Sequence, residues 1–466
     1  MMKRTILPLL LVLAAAAPAG AQDSRTLVEM IHGTKGSRMS EQAIALDPKR
    51  IINESNSFLK EREPEMTAEE YALYEKVITM ISTNVDFALR MLEAMMDDKE
   101  PPSPAFEFIL GNVYYAADQV AEAERSYRSA VDRYPDFLRA WVNLGILYYT
   151  SDRFADATPC FSKAVVLGDR DPTTFGLLGF CLEKEGNIVS AEMAYMQALS
   201  GDPANPDWKE GLLRIYIEGK QYGRAESLVA NLIMERPSES RLWLTYASVM
   251  LSQGRKVEAV VLLETAVGIG VAGAEELLLL GDLYADQNLA TEAVAIYAKA
   301  LGPARERGEE KLIQLARTLI AADELEDAEQ ALATLNKNPS PQGRLALMQC
   351  RADLLIARKR WAEARAEAEA LLKLAPLDGK ALLTLGRTHA EEGDFARAML
   401  AFEAAYQIPD STYRASLELA SIELRNRRYE KSVEYLERAL SIQRTDTVED
   451  YLARVKTLLG RETGSG

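Results

Sequence analysis

The sequence predicts an all-α chain of tandem antiparallel helix pairs, and three observations carry that expectation. Apolar residues recur with a period of 34 residues, large and small side chains alternate at helical spacing within each period, and short Gly- or Pro-bearing segments separate the periods. Residues 138–171 show the unit least altered: Trp141, Leu144, Gly145 and Tyr148 stand at unit positions 4, 7, 8 and 11, and Ala157, Phe161 and Ala164 at positions 20, 24 and 27. That spacing fits two helices of about three and a half turns, with bulky side chains filling the gap and Gly or Ala letting the backbones approach. A unit this small cannot bury its apolar face alone, so neighbours must stack.

Composition narrows the function classes. Hydrophobic residues make up 48% and charged residues 27%, the balance of a packed chain, and the net charge of −16 disfavours nucleic acid or an anionic membrane surface as partner. Residues 1–21 read as a secretory signal peptide: Lys3 and Arg4, the apolar run Ile6 to Ala17, then Ala19, Gly20 and Ala21. Cleavage after Ala21 leaves Gln22 rather than a lipid-accepting Cys as first residue. No later stretch reaches the roughly 20 apolar residues of a membrane span. An exported protein, periplasmic or secreted, is expected. Of its three cysteines, Cys160 and Cys181 are 21 residues apart on helices of adjacent units. Spacing leaves a bridge between them open, and buried inert thiols are the expected state.

In chain order, residues 22–66 form a flexible or partly helical leader with no clean period. Thr67 and Glu70 make a capping box that opens a degenerate capping helix pair, 67–102, whose Met80, Met91, Met95 and Met96 are read as core filler. Units then begin at 104, 138, 172, 206, 240 and 274, and less regularly at 309, 345, 379 and about 413. The glycine cluster Gly268–Gly273, either a hinge or a plain turn, divides the array into 104–273 and 274–442. Tyr451, Leu452, Val455, Leu458 and Leu459 mark a terminal capping helix over 448–460, followed by a disordered tail, 461–466.

Enzyme signatures fail on context. Gly268, Gly270 and Gly273 spell G-x-G-x-x-G, but a helix precedes them where a dinucleotide site needs a strand, so they are read as an interhelical turn. His32 and His389 are too few and too isolated for a metal site. No catalytic residue, cofactor or metal is expected.

Trp, Leu-Gly, Tyr, Ala, aromatic, Ala and Pro recur in register through five consecutive 34-residue intervals from 104, and by that pattern the chain resembles the tetratricopeptide-repeat (TPR) family over roughly 67–442. The resemblance implies a right-handed superhelical solenoid in which the first helix of each unit lines a concave groove through positions 2, 5, 9, 12 and 13. Those positions give Phe108, Asn112 and Tyr115, then Val142, Ile146 and Tyr149, then Phe180. This is a largely apolar patch on a face expected to be wet, hence a candidate surface for a protein or peptide. The alternative is that these side chains pack against neighbouring helices or beneath the leader. Phe108 stands where the family's carboxylate clamp has Lys, which puts that mode in doubt. Asp207, Glu210, Glu218, Glu275, Asp282 and Asp286, with Arg214 and Arg241, are read as a solvated face.

The expected function is a non-enzymatic exported scaffold or adaptor, binding a protein or peptide partner within a cell-envelope complex for secretion, outer-membrane assembly or nutrient uptake. The alternatives are a small-ligand-binding or enzymatic accessory protein, and a self-associating array. Intact mass of the exported protein should correspond to a chain beginning at Gln22; any other mature N-terminus rejects the signal-peptide reading.

Overall fold

The computed structural model describes residues 63–70, 72, 76–77, 84–94, 103–335 and 339–463. The signal peptide, the leader up to residue 62, and Met80, Met95 and Met96 of the capping pair lie outside the described residues. Among the described residues every regular element is a helix. Contacts divide the chain into two compact units, one comprising residues up to Glu235 with Ser248–Arg255, the other Arg236–Ala247 with everything from Lys256.

In the first unit α1 (Val85–Glu93) precedes the pairs α2/α3 (Pro104–Ala116, Val120–Arg133), α4/α5 (Leu138–Thr150, Phe154–Val166), α6/α7 (Pro172–Lys184, Ile188–Gly201) and α8/α9 (Pro206–Glu218, Tyr222–Glu235). The division runs through α10 (Ser240–Ser252). The second unit continues with α11 (Lys256–Gly268), α12/α13 (Ala274–Asp286, Ala290–Ala300), α14/α15 (Arg305–Ala321, Leu325–Leu335), α16/α17 (Pro341–Ala357, Trp361–Leu374), α18/α19 (Gly379–Glu391, Phe395–Tyr406) and α20/α21 (Thr412–Arg425, Tyr429–Ile442). It ends in α22 (Asp446–Thr463). Each unit is thus an all-α stack of tandem helix pairs, with one first (A) and one second (B) helix per repeat.

One contact sets the distance within a pair. A Cβ added at Gly145 would lie 2.8 Å from the ring of Phe161, and at Gly111 2.7 Å from Tyr127; Gly179 meets Tyr195, Gly281 meets Tyr297 and Gly386 meets Phe402 in the same way. These are unit positions 8 and 24. In three repeats position 8 is Ala (Ala247, Ala316, Ala420) and position 24 is Leu (Leu263, Leu332, Leu436), in the repeat at 345 both are Ala (Ala352, Ala368), and all eight are buried. Glycine inside a helix costs about 1 kcal/mol relative to alanine. The buried ring is worth roughly 1.5–3 kcal/mol, so the close approach outweighs the loss.

The turn from A to B repeats as strictly. Position 15 has positive φ in all ten repeats: Asp118, Asp152, Gly186, Lys220, Gly254, Asn288, Asp323, Lys359, Gly393 and Arg427. The next N–H reaches back to the last turn of the A helix, as in Gln119 N–H to the Tyr114 carbonyl at 2.9 Å and Asn187 N–H to Leu182 at 2.8 Å, which caps carbonyls that would otherwise be orphaned.

Between repeats, Trp141 Nε1 donates to the Pro135 carbonyl at 2.9 Å and Trp243 Nε1 to that of Pro237 at 3.0 Å. Glu at position 21 of one repeat pairs with a cation in the next, as in Glu124–Arg153, Glu226–Arg255 and Glu329–Arg358. Such partly exposed pairs add about 0.2–1 kcal/mol each and fix register more than stability.

Two expectations change, and one of the two readings of the glycine cluster is seen. The glycine cluster is an ordered turn: Gly270 takes φ +80, and Gly273 N–H donates to the buried Glu276 at 2.8 Å. The division instead falls about one repeat earlier, within residues 236–255. The terminal helix runs past Gly460 to Thr463, burying Val448 and Val455 against Leu436 and Ala439. The capping box forms as read, with Thr67 N–H on the Glu70 carboxylate at 2.8 Å and Glu70 N–H on the Thr67 hydroxyl at 3.2 Å.

Gly145→Val should therefore destabilise the first unit by roughly 1–3 kcal/mol in urea unfolding, because overpacking against Phe161 exceeds the gain in helix propensity. Gly223→Ala, where nothing lies within 4 Å of the added Cβ, should be neutral or slightly stabilising.

Candidate functional site

Adjacent A helices meet through positions 6, 9, 12 and 13. Tyr115 and Thr150 hydroxyls lie 3.1 Å apart, Asn143 Nδ2 donates to Asn112 Oδ1 at 2.7 Å, Tyr149 packs edge-on against Phe180 at 5.5 Å, and Arg214 grips Glu183 through two nitrogens at 2.7 and 3.0 Å. This is the face on which the sequence placed its candidate residues, and the structure sorts them into two groups.

Phe108, Asn112 and Ile146 are buried, at 3, 6 and 7% exposure, and do not belong to a wet surface. Phe108 packs against Phe137 at 4.9 Å, the Arg139 guanidinium lies 5.3 Å from its ring centroid, and Arg139 in turn pairs with Glu63. The end of the leader, with Pro64 and Met66, closes over this spot. Asn112 Oδ1 accepts from both the Tyr127 hydroxyl and the Asn143 amide, each at 2.7 Å. Asn112 is thus the buried acceptor that satisfies a fully enclosed phenol. Burial raises that phenol's pKa, so it stays the donor.

Tyr115, Val142, Tyr149 and Phe180 are half-buried. Tyr149, Phe180 and Phe154 form a cluster of edge-on rings with centroids 5.5–6.0 Å apart, and Lys184 Nζ lies 4.9 Å from the Phe180 centroid. Burial, followed by Cys181 and Asp207 nearby, pushes the Tyr149 phenol up to about 12. Sequence reasoning missed Phe154, because it stands at the start of a B helix and outside the groove positions.

A tyrosine at position 24 repeatedly needs an acceptor on its own A helix. Tyr195 donates to Glu183 at 2.7 Å and Tyr297 to Asp282 at 2.6 Å, just as Tyr127 donates to Asn112. Asp282 also pairs with Lys311 at 2.8 Å and Glu275 with Arg307, so these acids of the supposed solvated face are engaged in the stack. Cys160, Cys181 and Cys350 are free and buried, and burial pushes their thiols up to about 12, 12 and 11. A separate open recess of about 620 Å³ lies beside α6 and α7, where Phe175 and Leu182 replace the Trp and Tyr of the repeat pattern.

Profiles described as tetratricopeptide repeat match residues 110–173 and 351–412, 182–249, and 413–446. The chain is a tetratricopeptide-repeat protein. This TPR protein is 27% identical over 183 residues to cellulose synthase operon protein C of Pseudomonas fluorescens, a match covering 36% of this chain and 14% of that one. It is 28% identical over 197 residues to the cytochrome c-type biogenesis protein CycH of Pseudomonas aeruginosa, covering 40% and 47% respectively. The chain thus spans less than half of either relative. Solved structures of similar chains include a tetratricopeptide repeat protein from Parabacteroides merdae (19% identity, TM-score 0.35, covering 53% of this chain and 99% of that one). Yeast Tom70 is another (14%, TM-score 0.34, 84% and 96%).

Asn112→Leu strands the Tyr127 hydroxyl and should cost roughly 1–3 kcal/mol of stability in the first unit, measured by thermal or urea unfolding. A wild-type transition would show that the bond is not needed.

Proposed function

We propose that this TPR protein is a non-enzymatic, exported scaffold that binds a protein or peptide partner on its A-helix face within a cell-envelope assembly. The observation that carries the reading is the half-exposed aromatic group Tyr115, Tyr149, Phe154 and Phe180, with Val142 beside it. Phe154 stands at position 17, which is apolar in most repeats, whereas the repeat pattern does not require Tyr115, Val142, Tyr149 or Phe180. Rigid aromatic side chains anchor a partner efficiently, because they bury much area at little entropic cost.

Binding rather than catalysis fits the polar chemistry of the face. Asn112, Glu183 and Asp282 are each consumed by a tyrosine hydroxyl, and the latter two by an ion pair as well. The basic, apolar and small-residue order of residues 1–21 supports export. The names of the two Pseudomonas relatives, one from a cellulose synthase operon and one concerned with cytochrome c biogenesis, support an envelope setting.

Affinity capture from envelope extract with wild type and with Tyr115→Asp plus Tyr149→Asp tests this reading. The double variant should keep its helical circular dichroism and lose the specifically recovered partner. Recovery of the same partner by both folded baits rejects the aromatic face as the binding surface.

A further inference from the structure

The recess beside α6 and α7 lies apart from the aromatic face, since α6 lines it through positions 4, 7 and 11 rather than 6, 9, 12 and 13. Phe175, Leu178 and Leu182 form an apolar floor along that side of α6. Ser190, Ala194 and Gln197 follow one another along antiparallel α7. Seven residues of helical rise make this a slot about 10 Å long, so that its volume of about 620 Å³ gives a cross-section of roughly 60 Å². A single acyl chain, about 4 Å across at van der Waals contact, would leave most of that empty. A body of two fused rings suits it.

The charge of the slot is one-sided. Arg170, just before α6 at the Phe175 end, is the one charged side chain among those that line it. Its guanidinium donates to the Asp169 carbonyl at 2.8 Å and has no ion pair among the described residues. The flanking acids are occupied: Asp169 accepts from the Thr174 hydroxyl at 2.7 Å and from Asp171 N–H at 2.9 Å, and Asp171 accepts from Thr173 N–H at 2.8 Å. At the far end, position 19 is charged in the other nine repeats and is Ser190 here. α7 as a whole holds one charged residue, Glu192, which pairs with Arg224, and it leaves Val189, Met193 and Met196 50–72% exposed.

We propose that this slot binds a small aromatic carboxylate of about two rings, with the rings over Phe175 and against the Met193 thioether and the carboxylate on Arg170. Aromatic rings gain from offset or edge contact with another ring and from contact with sulfur. A guanidinium receives a carboxylate through two parallel N–H donors, and the Gln197 amide offers a further donor at that end. The apolar floor works against sugar-like ligands, whose polar groups would be stranded on it. Size and lining both match small-molecule sites, which are mostly apolar with a few polar groups and occupy roughly 300–1,000 Å³. Every residue of the slot belongs to the first unit, and the inference does not rest on the aromatic face.

The test is isothermal titration of the full mature chain with β-naphthoate, its neutral isostere β-naphthamide, and acetate. The naphthoate should bind saturably, and acetate should not compete with it. Arg170→Gln should weaken the naphthoate about tenfold and leave the naphthamide unchanged. Ser190→Trp, which fills the slot from α7, should weaken both by at least about tenfold; Ser162→Trp fills it from α5 if the first variant loses its helical circular dichroism. Absence of saturable naphthoate binding, equal loss of both ligands in Arg170→Gln, or undiminished binding by a folded slot-filling variant overturns the proposal. If the naphthoate fails to bind while Met193→Glu abolishes capture of an envelope protein, the slot belongs to a protein partner and the proposal falls. Tyr115→Asp plus Tyr149→Asp should leave naphthoate affinity intact; its loss in that variant puts the ligand on the aromatic face instead.

Discussion

The contact between unit positions 8 and 24 is the constraint on which the remaining architecture rests. It brings the two helices of a repeat close enough that Gly145 faces Phe161 with no room for a Cβ, and the same geometry recurs from Gly111 to Gly386. Where the ring is replaced by Leu263, Leu332 or Leu436, the small partner becomes Ala. In these repeats a smaller residue at position 24 is offset by a larger one at position 8, although the repeat at 345 sets Ala352 against Ala368. Once that distance is set, the left-handed residue at position 15 and the capped turn follow, because the chain must reverse within a few residues and still satisfy its end carbonyls.

The choice of aromatic at position 24 then reaches the functional face. A phenylalanine such as Phe161 asks nothing of its A helix, but Tyr127, Tyr195 and Tyr297 carry hydroxyls into the core, and each is met by Asn112, Glu183 or Asp282. Polar residues that look like groove chemistry are in these repeats the cost of burying a phenol. Surface residues on A helices can therefore be sorted by what lies behind them.

Most of the fold was legible in the sequence, and the legible part was local. Gly-aromatic spacing, Trp141 and Trp243, the Thr67–Glu70 box and the glycine turn at 268–273 all depend on residues a few to some sixteen positions apart, within reach of a periodic pattern. The candidate site was half legible. Tyr149 and Phe180 meet on the A-helix face, whereas Phe108 disappears beneath Glu63, Pro64 and Met66, residues with no periodic relation to it. The position-15 turn escaped notice because only three of its ten residues are glycine; the others, such as Lys220 and Arg427, hold left-handed backbone under pressure from the packed helices on either side.

By itself, then, the sequence determined the repeat, its length, its small-to-large pairing and the family, since these are properties of spacing along one chain. Only the tertiary structure decided which polar A-helix side chains are spent on buried hydroxyls, which aromatic residues are covered, and where contacts divide the array. Those outcomes depend on partners about half a repeat or more away in the sequence, brought together when helices stack. Burial and hydrogen bonding are properties of that stacked neighbourhood, and residue type alone does not encode them.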